Sequence, residues 1–79
     1  MIQTGIYRHF KGGTVFVYGT AESSENDEVL VLYFGLQDKK HHARPYKSFM
    51  GNIEKNGQKY NRFTLEQNIN FSVDNQIEA

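Results

Sequence analysis

Apolar side chains in this chain recur at every second position and are interrupted by glycine-containing turns, with little of the three-and-four spacing of an amphipathic helix. That pattern predicts a protein built mostly of strands. Residues 5–11 make the first candidate strand, although Ile6, His9 and Phe10 break a perfect alternation. Gly12-Gly13 follows, and both glycines can take positive φ at no steric cost, as a tight hairpin turn requires. Residues 14–21 then return antiparallel, with Val15, Val17, Gly19 and Ala21 on one face and Thr14, Phe16, Tyr18 and Thr20 on the other. Gly19 in mid-strand suits a kink of the kind small barrels use to turn a corner.

Residues 22–27 are polar and read as a solvated loop. Val29-Leu30-Val31-Leu32-Tyr33-Phe34 is the strongest strand in the chain, and six apolar residues in succession predict that both of its faces are covered. Residues 35–40 form a turn and 41–44 a short extended piece, because the residue before Pro45 is driven out of the helical region. Pro45 to Met50 can hold one helical turn that begins at the proline. Asn56-Gly57 is a strong hairpin signal, with the returning strand over about 59–65. Residues 66–79 turn polar but keep Ile69, Phe71 and Val73 in alternation, so this extension is either an added strand, able to cover Val29 to Phe34, or a frayed tail.

Hairpins of five to six short antiparallel strands with one helical turn predict a mainly β fold, a small twisted SH3-like barrel over residues 1–65. With 79 residues there is room for one small domain and no second core. Domains of this size are stable by about 4 to 12 kcal/mol, so a shallow surface site is expected. Cysteine is absent, which removes disulfides and thiolate metal sites and suits a reducing compartment. No leader pattern opens the chain, and its longest apolar run is too short to span a bilayer, so a cytoplasmic protein without a membrane role is expected.

Nine basic and nine acidic side chains cancel, which argues against a surface attracted as a whole to nucleic acid or anionic lipid. The charges are nonetheless segregated. Glu22, Glu25, Asp27 and Glu28 gather before the central strand, whereas 39–53 holds Lys39, Lys40, Arg44 and Lys47, with His41 and His42, and no carboxylate.

The block Gly5-Ile6-Tyr7-Arg8-His9-Phe10-Lys11 sets ionisable groups among aromatic rings. In a strand Arg8 and Phe10 fall on one side and Tyr7, His9 and Lys11 on the other. A guanidinium flanked by rings suits a carboxylate or phosphate, since it donates two parallel hydrogen bonds while its plane stacks, and Arg44 beside Pro45 offers a second such group. The competing role for Arg8 and Arg44 is structural, in pairs with the domain's own carboxylates or backbone carbonyls. His9, His41 and His42 invite a metal, but adjacent strand histidines face opposite ways and no acid completes a ligand set, so neither metal nor cofactor is expected. Ser23, Ser24 and Ser48 lack the sharp elbow of a nucleophile and read as turn and capping residues. Glu25, Asp27 and Glu28 have no apolar pocket to raise a pKa, so no catalytic residue is assigned. Tyr7, Phe10 and Tyr46 with residues 39–47 could stack and track single-stranded nucleic acid, an option limited by how many rings the core requires.

The blocks Gly5-x-Tyr7-Arg8-His9-Phe10-Lys11-Gly12, Val17-x-Gly19-x-Ala21, Ser24-Glu25 with Glu28, Leu30-Val31-x-Tyr33, Arg44-Pro45 with Phe49, and Gly57 with Arg62-Phe63 together resemble the bacterial family known as domain of unknown function 1653. The resemblance covers about Gly5 to Phe63 and implies a compact SH3-like β domain with no established activity. Three departures from the family pattern stand out. Ser23 stands where it carries His before Ser-Glu-Thr, His42-Ala43 where it carries Trp-Val before Arg-Pro, and Asn61 where it carries Pro before Arg-Phe. Tyr7-Arg8-His9, Arg44-Pro45 and Arg62-Phe63 remain as the retained site.

The expected function is therefore a non-enzymatic binding or interaction module in which Arg8, Arg44 and Arg62, with Tyr7 and His9 beside them, meet an anionic group or a partner's carboxylate. Its rivals are a nucleotide or single-stranded nucleic-acid accessory domain, a small enzyme using His9, which needs His9 and Arg44 at one concave pocket, and a homodimer closed over Val29 to Phe34.

Overall fold

The computed structural model describes residues 2–70. Seven strands and one helical turn follow in order: β1 (Gly5–His9), β2 (Thr14–Glu22), β3 (Val29–Gly35), β4 (His41–Pro45), α1 (Tyr46–Phe49), β5 (Asn52–Lys55), β6 (Gln58–Asn61) and β7 (Phe63–Asn68). The mainly β prediction is met, with one or two more strands than expected. Gly12 and Gly13 both take positive φ at the β1–β2 turn, as do Asn56 and Gly57 between β5 and β6, so the sequence signals for these hairpins act as read.

The main sheet is antiparallel, in the order β4-β3-β2-β1-β7, and β5-β6 forms a separate two-stranded ribbon. The expected barrel is not closed, because β4 and β7 share no ladder. The sheet is nevertheless strongly rolled. Four strand spacings would set flat edges about 19 Å apart, yet the Arg44 guanidinium of β4 lies 6.0 Å from the Phe63 ring of β7. Two irregularities contribute to the curl. One is a register shift in β2 between Val17 and Gly19, where the kink was expected, and the other is in β1 between Ile6 and Tyr7. The first shift also ends the predicted alternation, so Val15 and Val17 are buried while Ala21 is exposed.

The core is small and aromatic: Tyr7, Val15, Val17, Val31, Tyr33, Phe49 and Phe63. Phe49 stacks on Phe63 with centroids 4.1 Å apart and meets Tyr7 edge-on at 5.3 Å. At four residues helix α1 is too short to be stable alone; it is held against the roll because Phe49 is fully buried in the core. β3 buries Val31 and Tyr33, whereas Leu30, Leu32 and Phe34 on its other face stay half-buried, short of the full cover predicted for both faces.

The strand predicted over 59–65 is two strands in two sheets, broken at Arg62. There the Arg62 N–H donates to the Gly51 carbonyl and its carbonyl accepts from Phe10 N–H, so the chain crosses from ribbon to main sheet. β7 continues to Asn68, and Ile69 N–H donates to the Thr4 carbonyl, which carries pairing with β1 beyond residue 65. The remainder of the predicted extension, 71–79 with Phe71 and Val73, lies outside the described residues. Among the described residues no helix is long and apolar enough to cross a membrane.

Candidate functional site

His9 ends β1 on the inner side of the roll, its ring 4.9 Å from Phe63 and 4.7 Å from Phe10. Lys11 N–H donates to His9 Nδ1 at 3.1 Å. A neutral imidazole that accepts at Nδ1 carries its proton on Nε2, so His9 has a donor to offer there. Arg44 projects from β4 over the Phe63 ring, its Nη1 donating to Ser48 Oγ at 3.1 Å and its Nε making a long contact of 3.4 Å to the Tyr33 hydroxyl. Arg62 Nε donates to the Ser48 carbonyl at 3.0 Å. One residue of α1 thus anchors two guanidiniums. Among the described residues the ion pairs are Arg8 with Glu66 and His42 with Asp38, so neither Arg44 nor Arg62 has a carboxylate against it.

Of these groups His9 and Arg44 line a cleft of about 380 Å³, together with Tyr33, Asp38, His42 and Phe63, and Arg62 stays outside its lining. Its floor is aromatic, with Tyr33 and Phe63 edge-to-face at 5.7 Å. His42 stacks on Tyr33 at 5.2 Å and shares its Nε2 with Asp38 Oδ2 at 2.8 Å. That bond, with Lys40 N–H on the other oxygen, holds the Asp38 carboxyl below its ordinary range.

The five residues singled out from the sequence separate into two groups. His9, Arg44 and Arg62 come together. Tyr7 is 5% exposed in the core, its hydroxyl donating to the Gln3 carbonyl, and burial pushes its pKa up. Arg8 leaves the opposite face of β1, as strand alternation requires, and pairs with Glu66, the structural role weighed against its site role. Ser48, read from sequence as a capping serine, is the anchor of the cluster, and the part of Asp38 and His42 was also missed. Only the two-residue spacing of His42 and Arg44 on a strand could have shown that they share a face. His41 points to the outer face against Tyr18 and Phe34. Among the described residues no group of three or more metal-ligating side chains is assembled.

The His9 pKa is lowered, chiefly by desolvation and then by repulsion from Arg44, Arg62 and Lys11. A lowered value means that the unfolded chain binds the proton more readily, so stability rises with pH across the window that ends near the ordinary value of 6.5 and falls as acid charges the ring. An NMR titration of the His9 ring should give a midpoint below 6.5 that moves up in Arg44→Met; a midpoint at or above 6.5 would contradict this electrostatic arrangement.

A rolled antiparallel sheet with an aromatic-floored cleft holding Arg44 and Asp38 defines a small β domain. The family model described as protein of unknown function (DUF1653) matches residues 5–65, and the chain belongs to that family. The crystal structure of a DUF1653 protein from Bordetella bronchiseptica superposes with a TM-score of 0.76 at 24% identity, covering 90% of this chain and 95% of that one. At that identity the likeness speaks for the fold. No curated protein matches the sequence.

Proposed function

We propose that this domain is a non-enzymatic binding module whose cleft receives an anionic group, a carboxylate of a ligand or partner in particular. The observation that carries this reading is that Arg44 lines the cleft and Arg62 hangs from the same Ser48, with no carboxylate ion-paired to either among the described residues. Gathering like charges is unfavourable in the free protein: after desolvation, repulsion from Arg44, Arg62 and Lys11 lowers the His9 pKa, and an anion relieves that repulsion. Arg44 has five N–H donors and uses two, so three remain for an anion.

His9 and Arg44 do line one cleft, as the enzyme alternative requires. The Nε2 of neutral His9 already carries a proton, however, which suits holding an anion better than removing a proton. The nucleic-acid alternative loses Tyr7 as a stacking ring, because that side chain is in the core.

Titration with acetate, followed by His9 ring and Ser48 amide shifts, tests the reading. Arg44→Met keeps an apolar stem over Phe63 and removes the donors; it should fold and weaken binding about ten- to hundredfold, the worth of a charge-assisted hydrogen bond. Unchanged acetate affinity in Arg44→Met, failure of that variant to fold, or no saturable binding by the unsubstituted protein would overturn it.

A further inference from the structure

The cleft that holds Arg44 also carries a fixed negative charge. The Asp38 carboxylate is held at three points. Its Oδ1 accepts from Lys40 N–H at 3.0 Å, its Oδ2 meets His42 Nε2 at 2.8 Å, and it rests against the backbone of Gly35, where a Cβ would come within 2.2 Å of Oδ1. A carboxylate accepts at about four positions, so two remain unused by these bonds. Asp38 reaches the same cleft as Arg44.

The aromatic floor spaces the two charges. His42 lies over Tyr33 and Arg44 over Phe63, on neighbouring rings, and the two residues alternate on one face of β4, about 7 Å apart along the strand. The Gly12-Gly13 turn contributes backbone without side chains to the lining. A ligand bearing only negative charge would meet Asp38 as a repulsive neighbour, which counts against phosphate-rich molecules. A ligand bearing opposite charges on a short hydrocarbon stem meets complementary groups at both ends and apolar rings between.

We infer that the cleft takes a zwitterionic small molecule, its carboxylate on Arg44 and His9, its ammonium on Asp38 and its stem over Tyr33 and Phe63. This rests on the anion reading above and adds the cationic end. It predicts discrimination among ligands of equal size, with Asp38 as the residue responsible.

The probes are 4-aminobutyrate, whose charges are separated by a few methylenes, and butyrate, its singly charged counterpart, titrated against the full chain by NMR. 4-Aminobutyrate should bind about fivefold more tightly than butyrate, the scale of one additional partly exposed ion pair. Asp38→Asn, which keeps an acceptor for Lys40 N–H, should erase that preference, with 4-aminobutyrate bound more weakly and butyrate, freed of a repulsive neighbour, bound no more weakly than before, and Arg44→Met should weaken both ligands together. Equal affinity for the two probes, or a preference that survives in Asp38→Asn, would overturn the zwitterion inference while the anion site stands. Absence of binding by both probes would overturn the two readings together.

Discussion

Replacing Phe49 with alanine should cost about 3 to 5 kcal/mol, the range for truncating a fully buried phenylalanine, and leave the domain largely unfolded at 37 °C. The whole stability of a domain this size is about 4 to 12 kcal/mol, so one side chain accounts for much of it. Phe49 has no exposed surface and touches Tyr7, Tyr33 and Phe63, three of the other six core residues. Its ring is also what holds α1 in place, and Ser48 in α1 anchors Arg44 and Arg62. Urea unfolding followed by circular dichroism gives the loss directly. Phe49→Leu, which retains most of the apolar volume, should recover more than half of it. A loss below about 1 kcal/mol for the alanine variant would show that the roll does not depend on this plug.

Gly5→Ala should be the second most damaging change, although it adds only a methyl group. Gly5 sits at φ +145°, a conformation that side chains rarely adopt, and a Cβ there would lie 2.0 Å from the Gln67 carbonyl oxygen and 2.9 Å from Ile69 N. Both obstacles are backbone, so no rotamer change relieves the contact and β7 must move away from β1. Strain of this kind costs about 1 to 3 kcal/mol before the lost pairing is added, and the site lies next to the register shift at Ile6/Tyr7. Hydrogen exchange should show loss of protection concentrated in the β1–β7 ladder, with β2–β3 less affected. Gly19→Ala is the control, since a Cβ there meets nothing within 4 Å and should change stability by no more than about 0.5 kcal/mol. Equal losses at the two positions would refute the steric argument.

Several elements were legible because their causes are local. The Gly12-Gly13 and Asn56-Gly57 turns, the extended Val29 to Phe34 segment and the single helical turn after Pro45 all depend on φ preferences and side-chain periodicity within a few residues. The break at Arg62 was not legible, because the segment from Lys59 to Leu65 reads as continuous strand and is divided only by hydrogen bonds to Gly51 and Phe10, distant in sequence. Tyr7 was misplaced for a related reason. A ring beside Arg and His looks like part of a site, and only the rolled sheet shows that it fills the interior.

The sequence by itself determined a mainly β chain, its principal turns and the family to which it belongs, since these follow from short-range periodicity and from blocks of residues at matched spacing. The tertiary structure alone decided which cations meet. Strand alternation sends Arg8 outward to Glu66, and curvature of the sheet carries Arg44 across to Phe63, beside an Arg62 that no local rule would place there. Curvature sums bulges, edge contacts and the docking of one aromatic plug over the whole sheet, so no stretch of a few residues contains it.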